Sequence, residues 1–147
     1  MKGPQYRVFF DTSVYIAALI SPKGAAGELV RLAEAHIIRM VVSREVIIES
    51  DHVLLRKFPG LIQESRRLWK HLAPEMAPDP TSGKLKSYLS YLDKGDARIL
   101  CSAQLSGPDV FVTWNTRDFM KGNIKWQGTS CQNGFVFIFL PSRHKLI

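Results

Sequence analysis

Apolar and polar residues follow one another along this chain in blocks that switch between the period of a strand and the period of a helix. Residues 6 to 10, "YRVFF", are short, β-prone and end at a polar residue, which predicts a buried strand. Thr12 or Ser13 is placed to cap a helix over residues 14 to 20; "SPKG" breaks it, and a helical pattern resumes over residues 25 to 36. "IRMVV" predicts a second strand. Ser43 then caps the helix "REVIIESDHVLLRKF", Pro59 and Gly60 end it, and "LIQESRRLWKHL" makes another. The Pro-rich "APEMAPDPTSGK" reads as a loop. Residues 84 to 92 and 96 to 105 read as helices broken by "DKG", with "DVFVT" a third strand and "GFVFIFL" a fourth. Strands separated by helices predict an α/β layer with a mostly parallel sheet, and 147 residues without repeat or long linker suit one domain, 1 to 147.

In such sheets the ligand site lies beyond the carboxyl ends of the strands. Asp11, set between the apolar runs "VFF" and "VYIAALI", falls there. A carboxylate in that place is costly to bury unless a charge, hydrogen bonds or a metal compensates it, and a plain cap of a turn or helix would explain it equally. Glu49 lies on the helix after the second strand and borders the stripe of Val46, Ile47, Val53 and Leu54. Glu45 and Asp51 are its neighbours, and a solvated helix face would explain all three. Asp93 suits a helix N-cap, and Asp96 resembles the reciprocal acid of a capping box. Asp96 also leads the inward stripe Ala97, Leu100 and Cys101. Thr113, Asn115 and Asp118 follow the third predicted strand, where Asn115 or Asp118 would orient a water or a metal, or serve as an ordinary turn residue.

Composition narrows the partners. A hydrophobic fraction of 46% excludes a wholly disordered chain. The longest apolar run is far too short to span a bilayer, and the start lacks the features of a secretory signal. Two cysteines, Cys101 and Cys131, match neither a disulfide scaffold nor a zinc site, which points to a reducing cytoplasm. The net charge of +7 makes a nucleic acid a plausible partner. Arg66, Arg67 and Lys70 share one helix, while Arg98, Arg117, Lys121 and Lys125 are close in sequence to the acids. Trp69, Trp114 and Trp126 read as core or rim aromatics before base-stacking platforms. Carboxylates crowded at one edge repel one another, and a divalent cation such as Mg²⁺ or Mn²⁺ is the natural compensation. A cation so held activates a water and stabilises the leaving oxygen in phosphodiester hydrolysis.

The segments "FFDTSV", the helix start from Ser43 to Glu49, "DKGDARIL" and "VTWNTRDF" stand in the order of the PIN domain. The chain most resembles the single-domain bacterial PIN proteins that form the toxin half of toxin–antitoxin pairs, the VapC-like ribonucleases. The resemblance covers roughly residues 6 to 140. It implies a three-layer α/β fold with a central parallel sheet flanked by helices, and a metal-dependent endoribonuclease active on RNA. Carried onto this sequence, the acidic site is Asp11, Glu49 and Asp96, which would hold Mg²⁺ or Mn²⁺, with Asp118 as a fourth member. Thr12 and Ser13 take the places of the small polar residues after the first acid, and the Thr113 hydroxyl lines the same pocket. A small antitoxin and a homodimer are the protein partners implied. The sequence departs from the pattern at Asn115, where many relatives carry an acid, and at Ser50, where an apolar residue is usual.

Other readings fit less well. A phosphate-accepting regulatory domain would need paired acids near the first strand and a lysine after a late one. A phosphatase with an aspartyl nucleophile would need an acid where Ser13 stands. The stronger rival is a PIN-fold module that binds RNA or protein without cutting.

Overall fold

The computed structural model describes residues 5–90 and 92–115, and the backbone of 136–139. Five strands, β1 (Tyr6–Phe10), β2 (Ile38–Val42), β3 (Glu75–Met76), β4 (Val110–Thr113) and β5 (Val136–Phe139), form one sheet in the order β3-β2-β1-β4-β5. Every pairing is parallel. Among the described residues six α-helices accompany them, α1 (Thr12–Ile20), α2 (Ala25–Glu34), α3 (Arg44–Lys57), α4 (Ile62–Leu72), α5 (Ser82–Tyr88) and α6 (Lys94–Ser106), with a 3-10 turn over Pro59–Leu61. This is the expected α/β architecture, and the mostly parallel sheet is parallel throughout.

A parallel strand covered on both faces needs continuous apolar sequence rather than alternation. Val8, Phe9 and Phe10 of β1 are all buried, as are Met40, Val41 and Val42 of β2 and Phe111 and Val112 of β4. Phe9 and Phe111 are partners in the β1–β4 register, and their rings stack at 5.3 Å between centroids. Helix α1 is buried on nearly all sides and packs against α2 and α3. Its Tyr15 stacks on Trp69 of α4, centroids 3.8 Å apart, and its hydroxyl meets Ser65 Oγ at 2.7 Å. Trp69 thus packs, partly buried, against the core, and burial raises the Tyr15 phenol above the usual range.

Three sequence expectations need correction. The cap of α1 is Asp11, not Thr12 or Ser13, which lie in the first turn of the helix. The segment read as a Pro-rich loop contains β3, a two-residue edge strand held by β2, and the start of α5 after its Thr81 cap. So short a strand has no periodicity to read. The helices read at 84 to 92 and 96 to 105 run instead from Ser82 to Tyr88 and from Lys94 to Ser106, because Asp93 caps α6 and Lys94 and Gly95 belong to it. Among the described residues, no helix is long and apolar enough to cross a membrane.

Candidate active site

The chain leaves β1 on one side to build β2 and β3, then crosses to the other side for β4 and β5. The switch falls between β1 and β4, where an open parallel sheet places its ligand crevice. Asp11 follows the last residue of β1, and its amide continues the ladder to the Val112 carbonyl at 3.1 Å. Thr113 ends β4. The sheet register therefore delivers Asp11 and Thr113 side by side at the carboxyl edge.

Asp11 is 3% exposed. Thr113 Oγ1 donates to its Oδ2 at 2.7 Å and Ser13 Oγ donates to the same oxygen at 2.9 Å. Each hydroxyl has its own donor behind it: the Asn115 amide reaches Thr113 Oγ1 at 2.8 Å, and the Trp114 amide reaches Ser13 Oγ at 3.0 Å. A hydroxyl that accepts from an amide is turned to donate its proton onward. The chain of bonds thus fixes the Asp11 rotamer, and Oδ1 has no side-chain donor among the described residues. Burial nevertheless raises the Asp11 pKa. The Thr113 and Ser13 hydroxyls oppose the shift, as do the Thr12 and Ser13 amides, which lie near but outside capping geometry.

Glu49 reaches the same edge from α3, whose start is fixed by the Ser43 cap on the Val46 amide. It is half-buried, and its pKa is raised, first by burial and then by repulsion from Asp11, Glu45 and Asp93; the nearby Thr12 hydroxyl opposes the shift. That hydroxyl is itself buried and, among the described residues, reaches no hydrogen-bond partner of regular geometry. Asp93 caps α6 through its Oδ1 to the Asp96 amide at 3.0 Å, the forward half of the expected capping box. Asp96 is 9% exposed in the first turn of that helix, ahead of buried Ala97, Leu100 and Cys101. Glu45 stands 4.0 Å from the Arg98 guanidinium. Among the described residues, no lysine or arginine pairs with Asp11 or Glu49.

Asp11, Glu49, Thr12, Ser13, Thr113 and the amide of Asn115 are therefore grouped, and Asp96 lies at the adjoining helix start. Asp118, with Arg117, Lys121, Lys125 and Trp126, lies outside the described residues. Among the described residues, no three carboxylate, histidine or cysteine groups converge closely enough to form a complete ligand set. Mg²⁺ does not require one, since it is habitually held by one or two carboxylates with waters and substrate phosphates completing the shell. The donors present are hard oxygens, two of them carboxylates destabilised as anions, beside an orphaned hydroxyl. This donor set fits such a cation. Ser50, directly after Glu49, is fully buried, and its hydroxyl has no hydrogen-bond partner among the described residues. Two contributors escaped the sequence reading: the Trp114 amide, which no side-chain pattern signals, and Asp93 acting on Glu49 through space as well as capping.

The fold is thus a parallel α/β sheet with desolvated acids at its switch point. The chain belongs to the PIN domain family, whose model matches residues 7–117. Among solved structures, it is similar to VapBC2 from Rickettsia felis bound to a DNA fragment from their promoter. That match has a TM-score of 0.66 at 11% identity and covers 92% of this chain and 99% of the other. At that identity the likeness concerns the fold. A search of curated proteins found no match.

Proposed function

We propose that this PIN domain is a Mg²⁺- or Mn²⁺-dependent endoribonuclease. The observation that carries the reading is the pairing of Asp11 and Glu49 at the carboxyl edge of the sheet, both desolvated and without a described cationic partner. Asp11 and Glu49 would hold the cation, with Asp96 and Asp118 as the further members that the family resemblance implies. The chemistry such a cation would supply when bound is a lowered pKa for the attacking water and stabilisation of the leaving oxygen. The chain's own part is positional. Ser13 and Thr113 hold Asp11 in one rotamer, and the Thr12 hydroxyl lies beside the Glu49 carboxylate. Burial of Asp11 keeps bulk solvent from screening the site, so each charge there acts at short range with more force than in water.

The excess of positive charge supports a polyanionic substrate. Arg66, Arg67 and Lys70 are exposed on α4, and phosphate contacts of that kind give salt-dependent affinity. The similar fold of the VapBC2 complex supports a protein partner, of the small antitoxin kind implied by the sequence resemblance. The test is cleavage of end-labelled RNA by purified protein with and without added Mg²⁺. Internal cuts that require the metal are expected. RNA bound but left intact at every Mg²⁺ and Mn²⁺ concentration would favour the non-cutting module instead.

A further inference from the structure

Helices α5 and α6 both carry glycine at the second helical position, Gly83 after the Thr81 cap and Gly95 after the Asp93 cap. Neither has the positive φ that would demand glycine. Glycine inside a helix is unfavourable relative to alanine by about 0.5–1 kcal/mol, so conformation alone gives no reason for either. Their surroundings differ. Among the described residues a methyl group built on Gly83 meets nothing within 4 Å, whereas one built on Gly95 lies 3.1 Å from Glu49 Oε2 and 3.9 Å from Asp93 Oδ1. The first distance is tighter than an ordinary carbon–oxygen contact.

We propose that Gly95 is a positioning residue: by lacking a side chain it lets the Glu49 carboxylate of α3 close on the first turn of α6, beside Asp93 and the backbone that carries Asp96. The inference rests on the cation-site reading above and adds to it the residue that brings the acids of two helices to one space. Glu49 Oε2 is the far end of a flexible side chain, so a methyl at position 95 displaces the carboxylate rather than the helix. The consequence is unusual for a core-side substitution. The fold keeps or gains stability while the site loses a ligand.

Gly95→Ala and Gly83→Ala form a matched pair, since both add one methyl at the same position of a helix. Mn²⁺ affinity by calorimetry and metal-free thermal unfolding are read on the full chain. Gly95→Ala should weaken Mn²⁺ binding about tenfold or more, the scale of substitutions that disturb the groups orienting a metal ligand. Gly83→Ala should leave it unchanged. In metal-free unfolding, Gly95→Ala should raise the melting temperature more in a Glu49→Ala background than in the native one, because the contact is then gone. Native Mn²⁺ affinity in Gly95→Ala overturns the proposal. If the native protein itself takes up no Mn²⁺, the cation reading has failed, and the stability cycle alone decides the contact. Equal effects of Gly95→Ala in both backgrounds would then overturn the role of Gly95.

Discussion

Toward the amino ends of β1 and β2, Arg7 and Arg39 reach across to grip Glu75 of β3; at the carboxyl ends, Asp11 and Glu49 stand beside hydroxyls and repel one another. Arg7 binds Glu75 through both Nε and Nη2, with Nε to Oε1 at 3.1 Å, and Arg39 Nε reaches Oε1 at 2.8 Å. The same Arg7 donates to the Gly107 carbonyl at 2.9 Å, and its amide donates to Asp109 Oδ2 at 2.8 Å. The Arg7 hydrogen bond holds the Glu75 pKa below its ordinary value, and burial lifts those of Asp11 and Glu49 above theirs. One sheet thus carries a neutralised ion network at one end and, at the other, an acid pair with no cationic partner among the described residues. The first clamps an edge strand of two residues. The second is a poor way to stabilise a fold and a suitable way to await a cation, in keeping with the tendency of perturbed carboxylates to mark functional sites.

The contrast is broken most severely at Asp11. Asp11→Asn is nearly isosteric but removes the charge on which the proposed cation depends. RNA cleavage should fall about 100-fold or more, the range for losing one preorganised electrostatic group at a reacting centre, while the metal-free melting temperature holds or rises. Activity retained in a destabilised protein would make Asp11 a structural cap. Next in size is the hydroxyl relay. Thr113→Val takes away the 2.7 Å donor to Asp11 and leaves the Asn115 amide without its acceptor. Metal affinity should drop about tenfold and be largely rescued in Thr113→Ser. Equal affinity for valine and serine would remove Thr113 from the site.

At the opposite end, Arg7→Ala should cost about 1–2 kcal/mol of stability, more than an exposed pair because the fork is bidentate on a partly buried carboxylate. Metal affinity, measured calorimetrically, should not move; a large drop would mean that the two ends are coupled. The smallest effect is in the pH dependence. Glu75 has a lowered folded pKa, so its contribution is present above its ordinary 4.5 and is lost as pH falls through the folded value. Asp11 and Glu49 have raised folded values, so their contribution is full below their ordinary 3.8 and 4.5 and is lost as pH rises through the folded pKa. The stability gained by Asp11→Asn over the native protein, without metal, should therefore shrink as pH is lowered from neutral. A constant difference would contradict the raised Asp11 pKa.

The comparison also explains what the sequence revealed. The strands other than β3 were legible because a buried parallel strand is a dense apolar run bounded by polar residues, and "YRVFF" and "IRMVV" match β1 and β2 residue for residue. Strand β3 was not, because its place is set by hydrogen bonds to β2 and by the two arginines gripping Glu75, all remote in sequence. At the site, Asp11 stood out because it interrupts apolar sequence. Ser13 and Thr113 were visible only as small polar residues near it, since their mutual register depends on the β1–β4 pairing across a hundred residues. Ser43 was read correctly as a cap because its role is local. Thr12 or Ser13 was misread as one, because a capping pattern does not tell which of three adjacent polar residues takes the extended backbone. Gly95 carried a faint signal, a glycine at a helix start with no conformational need for it.

The most direct test of the central claim is the melting temperature of the native protein and Asp11→Asn, each titrated with Mg²⁺ from a metal-free state at neutral pH. A ligand of the folded state stabilises it in proportion to the logarithm of its concentration once above Kd. The native protein should start at or below the variant and climb with Mg²⁺, while Asp11→Asn stays flat. Parallel curves, or no response from the native protein at millimolar Mg²⁺ in low salt, would contradict the assignment of the carboxyl edge as a cation site.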